Sequence, residues 1–410
     1  MTGPPFGFGG AEHEPGKGEP LDPFAGLFAA AGGGPAELSA ALHRFADLLA
    51  WTGGPVNWDL ARDLARRTAA AEGDPVPGPA ETAAVGEALR LADLWLDPVT
   101  ALPSGVTATA AWTRAQWVEQ TVPVWRSLTD PVAARVVDAM TGALPPEAAA
   151  LAGPLGGVLK QVGGMMFGGQ VGQAIGQLAR EVVSSSEIGL PLGPAGHAAL
   201  LPANVRAFGE GLEVPSDEVR LYVALREAAH HRLFGHVPWL RAHLLGTVDA
   251  YARGIRVDVS ALEQAMRDLD PTNPEALQEA LAGGLFEPQA TPEQQAALTR
   301  LETALALVEG WVDEVVSAAA GSLPSAAALG ETVRRRRATG GPAEQTFGAL
   351  VGLELRPRRL RDAAALWRAL ADARGPAGRD AVWGHPDLLP GTDDLDDPQR
   401  FVAGDGPDGE

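Results

Sequence analysis

Apolar residues recur three and four positions apart along most of the chain, the period of one face of a helix. Many of these runs open with a recognisable start. In "PVNWDLARDLARR" the pattern predicts a helix from about Trp58. "DPVAARVVDAMTGAL" places Asp130 as an N-cap and Pro131 at the first helical position, where a missing N–H costs little. "VSALEQAMRDLD" sets Ser260 and Glu263 at capping-box spacing. "TNPEALQEAL" and "TPEQQAALTRLETALALVEGWVDEVVSAA" each begin with a cap residue followed by proline. Strand signals are few, and the best is the short apolar run "GHAALLPANV", residues 196–205. No repeat of solenoid period is present. The pattern predicts a mainly α fold with few short strands.

Two predicted helices carry charge on the face that should be buried. In "PSDEVRLYVALREAAHHRLFGHVPWL", Ser216 with Asp217 and Glu218 gives an N-cap and first-turn acids. Val219, Tyr222 and Val223 mark the inward stripe, which continues onto Arg226, His230 and Leu233. An inward Arg and His must find partners or cost several kcal/mol, to order of magnitude. In the second helix the stripe runs Leu298, Leu301, Leu305, Val308, Val312 and Val315, with Glu309 inside it and Gly310 leaving room for close approach. A carboxylate there needs a cation or a metal. A buried Glu–Arg pair and a metal ligand are both consistent with this position. In "FGGQVGQAIGQLAREV", Gly168, Gly172 and Gly176 line one helical face, which reads as close helix–helix packing rather than a ligand surface.

Composition narrows the chemistry. The 410 residues are 46% apolar, as in a globular protein, with a formal charge of -20 that argues against nucleic acid as a partner. Without cysteine there is no disulfide, thiolate nucleophile or Cys-ligated metal, so any metal must be held by His, Asp or Glu. The N-terminal residues lack the form of a signal peptide, and the most apolar tract is broken by glycine, Lys160 and several glutamines, so no membrane span and a cytoplasmic location are expected. Residues 1–34, rich in Gly and Pro, read as a disordered arm; residues 35–390 read as one helical domain, with a possible N-terminal subdomain over 35–185. Residues 391–410 read as a loosely attached acidic tail. The basic runs "VRRRR" (333–337) and "RPRRLR" (356–361) have no interleaved aromatics and read as helix ends or as partners for the chain's own acids. Trp383 reads as a core anchor and His385 as structural. No Walker motif, G-x-G-x-x-G after a strand, or G-x-S-x-G is present.

Four of the eight histidines, His230, His231, His236 and His243, fall within fourteen residues. His231 and His243 read as surface or packing residues, and His236 as the end of its helix, with a metal-ligand role as the lesser alternative. The segment "REAAH" departs from the metallopeptidase motif H-E-x-x-H at its first position, where Arg226 offers no lone pair to a metal.

That helix, the "LALVEGW" helix, the N-terminal "GGPVNWDLARDLAR" and "WVEQTVPVWRSLTDPVAARV", and the C-terminal "LVGLELRPRRLRDAAALWRAL…GRDAVWGHPDLLPGTDDLDDP" together resemble the zincin-like family of high-GC bacterial proteins, over about residues 35–400. Members are labelled zinc-dependent metalloproteases or hydrolases. The resemblance implies a helical zincin-like fold with H-E-x-x-H on one helix and E-G-H on a later one. Residue by residue it gives Glu227 as general base, His230 as the second zinc ligand and Glu309 as the third. Arg226 replaces the first ligand, and Trp311 stands where E-G-H ends. Two functions follow: a metallohydrolase acting on peptide or protein, its zinc site repaired by His236 or Asp313, or a non-catalytic relative acting as a structural or interaction protein. In the second, Arg226 occupies the metal's place and bridges to Glu309, with Glu227 as a further partner.

Overall fold

The computed structural model describes residues 53–142, 146–253, 291–338 and 359–404. The arm of residues 1–34 and the helices expected in "VSALEQAMRDLD" and "TNPEALQEAL" lie outside them.

Helix α1 (Trp58–Ala69) starts where the pattern places it, with the Asn57 side chain accepting from the Leu60 N–H. It lies against α4 (Pro146–Glu181) along the glycine face. A Cβ at Gly168, Gly172 or Gly176 would come within 2.6, 2.5 or 2.7 Å of the carbonyls of Asn57, Ala61 and Ala65, so the two backbones can only approach this closely without side chains.

Between these two helices runs α2 (Pro79–Leu96), strand β1 (Ala108–Ala111) and α3 (Arg114–Gly142). Helix α3 differs from the expected start at Asp130: it is helical on both sides of Pro123 and Pro131. Each interior proline removes one backbone bond. Burial of Trp125, Leu128 and Val132 around them offsets that loss. Asp130 instead accepts from the Trp58 indole N–H at 2.8 Å.

Strand β2 (His197–Leu200) pairs in parallel with β1, Ala108 opposite His197 and Ala111 opposite Leu200. Helices α3 and α4 form the connection that parallel pairing requires. The strand expected over 196–205 stops early because Pro202 opens α5 (Pro202–Gly209). After it come α6 (Ser216–His236), α7 (Leu240–Arg253), α8 (Pro292–Ala319), α9 (Ala326–Ala338), α10 (Leu360–Asp380) and α11 (Pro398–Ala403). Helix α8 carries the capping box of Thr291 and Gln294. In α6 the cap position is Pro215, which has no side-chain donor or acceptor, and Ser216 is already helical.

Helices α6 and α8 form the centre. Residues 221–233 of α6 and 304–316 of α8 are buried on every side, so each is enclosed rather than amphipathic. Helix α10 sits directly on α8 at Gly310, where a Cβ would lie 2.6 Å from that of Ala363. Trp367 donates to the Leu307 carbonyl and stacks on buried Trp383, while His385 is exposed and accepts from the Asp387 N–H. At the end of α10, Asp380 accepts from the Thr100 hydroxyl (2.6 Å), the Ala101 N–H (2.7 Å), the Trp311 indole (2.8 Å) and Arg379 (2.8 Å). Within the described part of the acidic stretch, residues 391–404, Leu395 is buried and Arg359 pairs with Asp396.

Candidate functional site

Arg226 and His230 sit one turn apart on α6 and project towards α8, where Glu309 meets both. The Arg226 Nη2 donates to Glu309 Oε2 at 2.7 Å, and His230 Nε2 lies 2.8 Å from Oε1. The other ring nitrogen, Nδ1, is 2.9 Å from the Arg226 carbonyl. Both ring nitrogens thus face oxygens, one on each central helix. Arg337, from the end of α9, adds its Nη1 at 3.0 Å from Glu309 Oε2. Burial alone would raise the Glu309 carboxyl, but Arg337, His230 and Arg226 bring it down from 4.5 to about 2. Burial likewise opposes the charge on Arg226, and Glu309, Tyr222 and Asp313 more than offset it, so its pKa is raised. Gly189 (φ 77°) closes the site from the other side, since a Cβ there would lie 2.8 Å from Glu309 Oε1.

Glu227, the next residue on α6, points elsewhere. Its Oε2 accepts from the Ser186 hydroxyl (2.5 Å) and N–H (3.1 Å). Its Oε1 accepts from the Ser185 hydroxyl, from the Ala199 N–H on β2 (3.1 Å) and from His231 Nε2 (3.2 Å). The carboxylate thus closes the edge of β2 and fastens the turn at residues 185–186. Burial would raise it, but His231 and the two serines hold it at about 2. It does not bridge to Arg226, so that part of the expected arrangement is corrected: successive helical residues diverge by about 100°, and five donors claim the group where it lies.

Other expected residues fall as follows. Asp313 is buried at the same site, 4.0 Å from Arg226 and 3.3 Å from Arg334, and is occupied by arginines. His236 is exposed and reaches the Ser104 carbonyl. Trp311 turns away to Asp380. His231, read as a surface or packing residue, is a buried partner of Glu227. Arg337, Ser185 and Ser186 were not singled out. Arg337 lay in a basic run, and the two serines sit in a segment with no period to orient them.

The donor set does not fit a zinc ion. His230 and Glu309 face each other there, Asp313 is held by Arg226 and Arg334, and among the described residues no group of three His, Cys, Asp or Glu could hold a metal. Two guanidiniums, from Arg226 and Arg337, share the Glu309 oxygen a cation would need.

Both carboxylates have depressed pKa values, so their contribution to stability is complete above about 4.5 and is lost as pH falls towards about 2. The urea midpoint should therefore be flat from about pH 7 to 5 and fall steeply below that. A midpoint that holds down to pH 3 would contradict the pairing of these two groups.

A solved structure from Chloroflexus aurantiacus, provisionally described as a hydrolase with a novel fold, shares the fold with a TM-score of 0.59 at 21% identity, covering 85% of this chain and 98% of that one. No curated protein matches. The model of the zincin-like metallopeptidases, a family of metallohydrolase kind, matches residues 56–402, which take in the helices carrying Glu227, His230 and Glu309 and the C-terminal block. With the match spanning most of the sequence, this chain belongs to the zincin-like metallopeptidase family.

Proposed function

We propose that this chain keeps the framework of its family with an arginine in the metal's place, and acts as a non-catalytic structural or interaction protein. The observation that carries this reading is the buried Arg226–Glu309 bridge at 2.7 Å. A fixed guanidinium supplies positive charge between α6 and α8, and its planar fork suits a carboxylate better than lysine would. It has no vacant orbital with which to polarise a carbonyl or acidify a water. Glu227 supports the same reading, because its lone pairs are committed to five donors and none is left to take a proton. The -20 charge supports a protein that does not engage nucleic acid. Among the described residues, no helix is long and apolar enough to span a bilayer.

The second reading is a zinc-dependent metallohydrolase acting on a peptide or protein. It is supported by family membership and by the way His230 and Glu309 face one another at 2.8 Å. Metal analysis of protein purified without chelator or affinity tag, paired with a peptide-hydrolysis assay, separates the two. Much less than one zinc per chain and no hydrolysis after zinc is added is the expected result. One equivalent of zinc, with hydrolysis abolished by a chelator, would establish the metallohydrolase instead.

A further inference from the structure

One guanidinium replaces only half the charge of a divalent ion, and Glu309 shows where the other half comes from. Helix α9 ends on four consecutive arginines, residues 334–337. Arg334 and Arg337, three apart, share one face of α9, while Glu309 and Asp313, four apart, share one face of α8. The pairs meet in opposite order along the two helices. Arg334 lies 3.3 Å from Asp313, and Arg337 lies 3.0 Å from Glu309 with its side chain only 10% exposed. Arg337 also donates to the Glu187 carbonyl, and Arg336 donates to the Glu181 carbonyl and faces the Glu187 carboxylate at 3.7 Å. Apolar anchoring of α9 is thin by comparison, with Leu329 buried and Val333 partly so.

We infer that Arg337 is the second half of the metal's replacement: Arg226 and Arg337 together supply the charge of a divalent ion at Glu309, and in doing so lock α9 over the former ligand pair. This rests on the reading of Arg226 given above. It makes Arg337 a positioning residue for α9 and has a consequence for any attempt to restore the site. Changing Arg226 to histidine supplies a third ligand but leaves Glu309 neutralised, so it is insufficient alone.

The test uses the full chain and the variants R226H, R337Q and R226H/R337Q, titrated with cobalt(II) and followed by visible absorption, together with amide hydrogen exchange. The double variant should bind cobalt at least tenfold more tightly than R226H. R337Q should speed exchange across residues 329–338 at least tenfold, while α6 stays protected. Equal cobalt affinity in R226H and the double variant would overturn the proposal, as would a folded double variant that binds none. If the double variant does not fold, exchange in R337Q decides, and an unchanged α9 overturns the lock. Tight cobalt binding at this site by the unaltered chain would overturn the Arg226 reading itself, a separate failure.

Discussion

Glu309→Gln should lower the unfolding free energy by about 3–5 kcal/mol, because it leaves Arg226, Arg337 and His230 around a group that no longer carries charge. The amide keeps the volume of the carboxylate, so the loss measures electrostatics rather than packing. Urea denaturation at pH 7 is the measurement. A loss under about 1 kcal/mol would mean that water or relaxed side chains take over the positive charges, and the site would not be the fixed ionic centre described here. The losses from Glu309→Gln and Arg226→Met should not add. Once Glu309 has lost its charge, removing Arg226 relieves a buried cation left without its nearest partner, and a double-mutant cycle should report a strong coupling.

Glu227→Gln tests the other half of the motif and should cost roughly 2–4 kcal/mol. The carboxylate accepts five hydrogen bonds and donates none, and an amide must turn its NH2 towards donors on one side. A residue serving as general base and nothing else would tolerate this change with its thermal midpoint nearly intact. A midpoint within one degree of the unaltered protein would restore the catalytic role expected from the resemblance. A large drop, with α6 and β2 losing protection together, would confirm that Glu227 joins them.

The parts of this site that could be read in advance are those fixed by helical period. Arg226, His230 and Glu309 were legible because each interrupts an apolar stripe, and a charge facing inward on one helix calls for an opposite charge on another. The N-terminal boundaries of α1 and α8 were legible because Asn57 and Thr291 satisfy backbone donors locally. The surroundings of Glu227 were not legible, because the two serines that hold its carboxylate lie some forty residues upstream in a segment without period. Arg337 was hidden in a run of like residues, where composition cannot say which member turns inward. The break expected at Pro131 failed for a different reason: tertiary burial on both sides of the proline outweighed one lost hydrogen bond. Strand β1 is four residues of Ala and Thr, and only pairing with β2 makes it a strand.

Asp380 bears on how the chain is made. It accepts from Thr100, 280 residues earlier, and from Trp311, both buried polar groups. At synthesis rates of roughly 5–20 residues per second, about 15–60 s separates the emergence of Thr100 from that of its acceptor. During that interval α2 and its following loop lack the carboxylate that seals them, and α8 arrives before the residue that satisfies its tryptophan. Domains dominated by early, local contacts can close as they leave the ribosome. This one is tied from its first third to its last tenth, and so its central helices reach their final environment only after translation is nearly over.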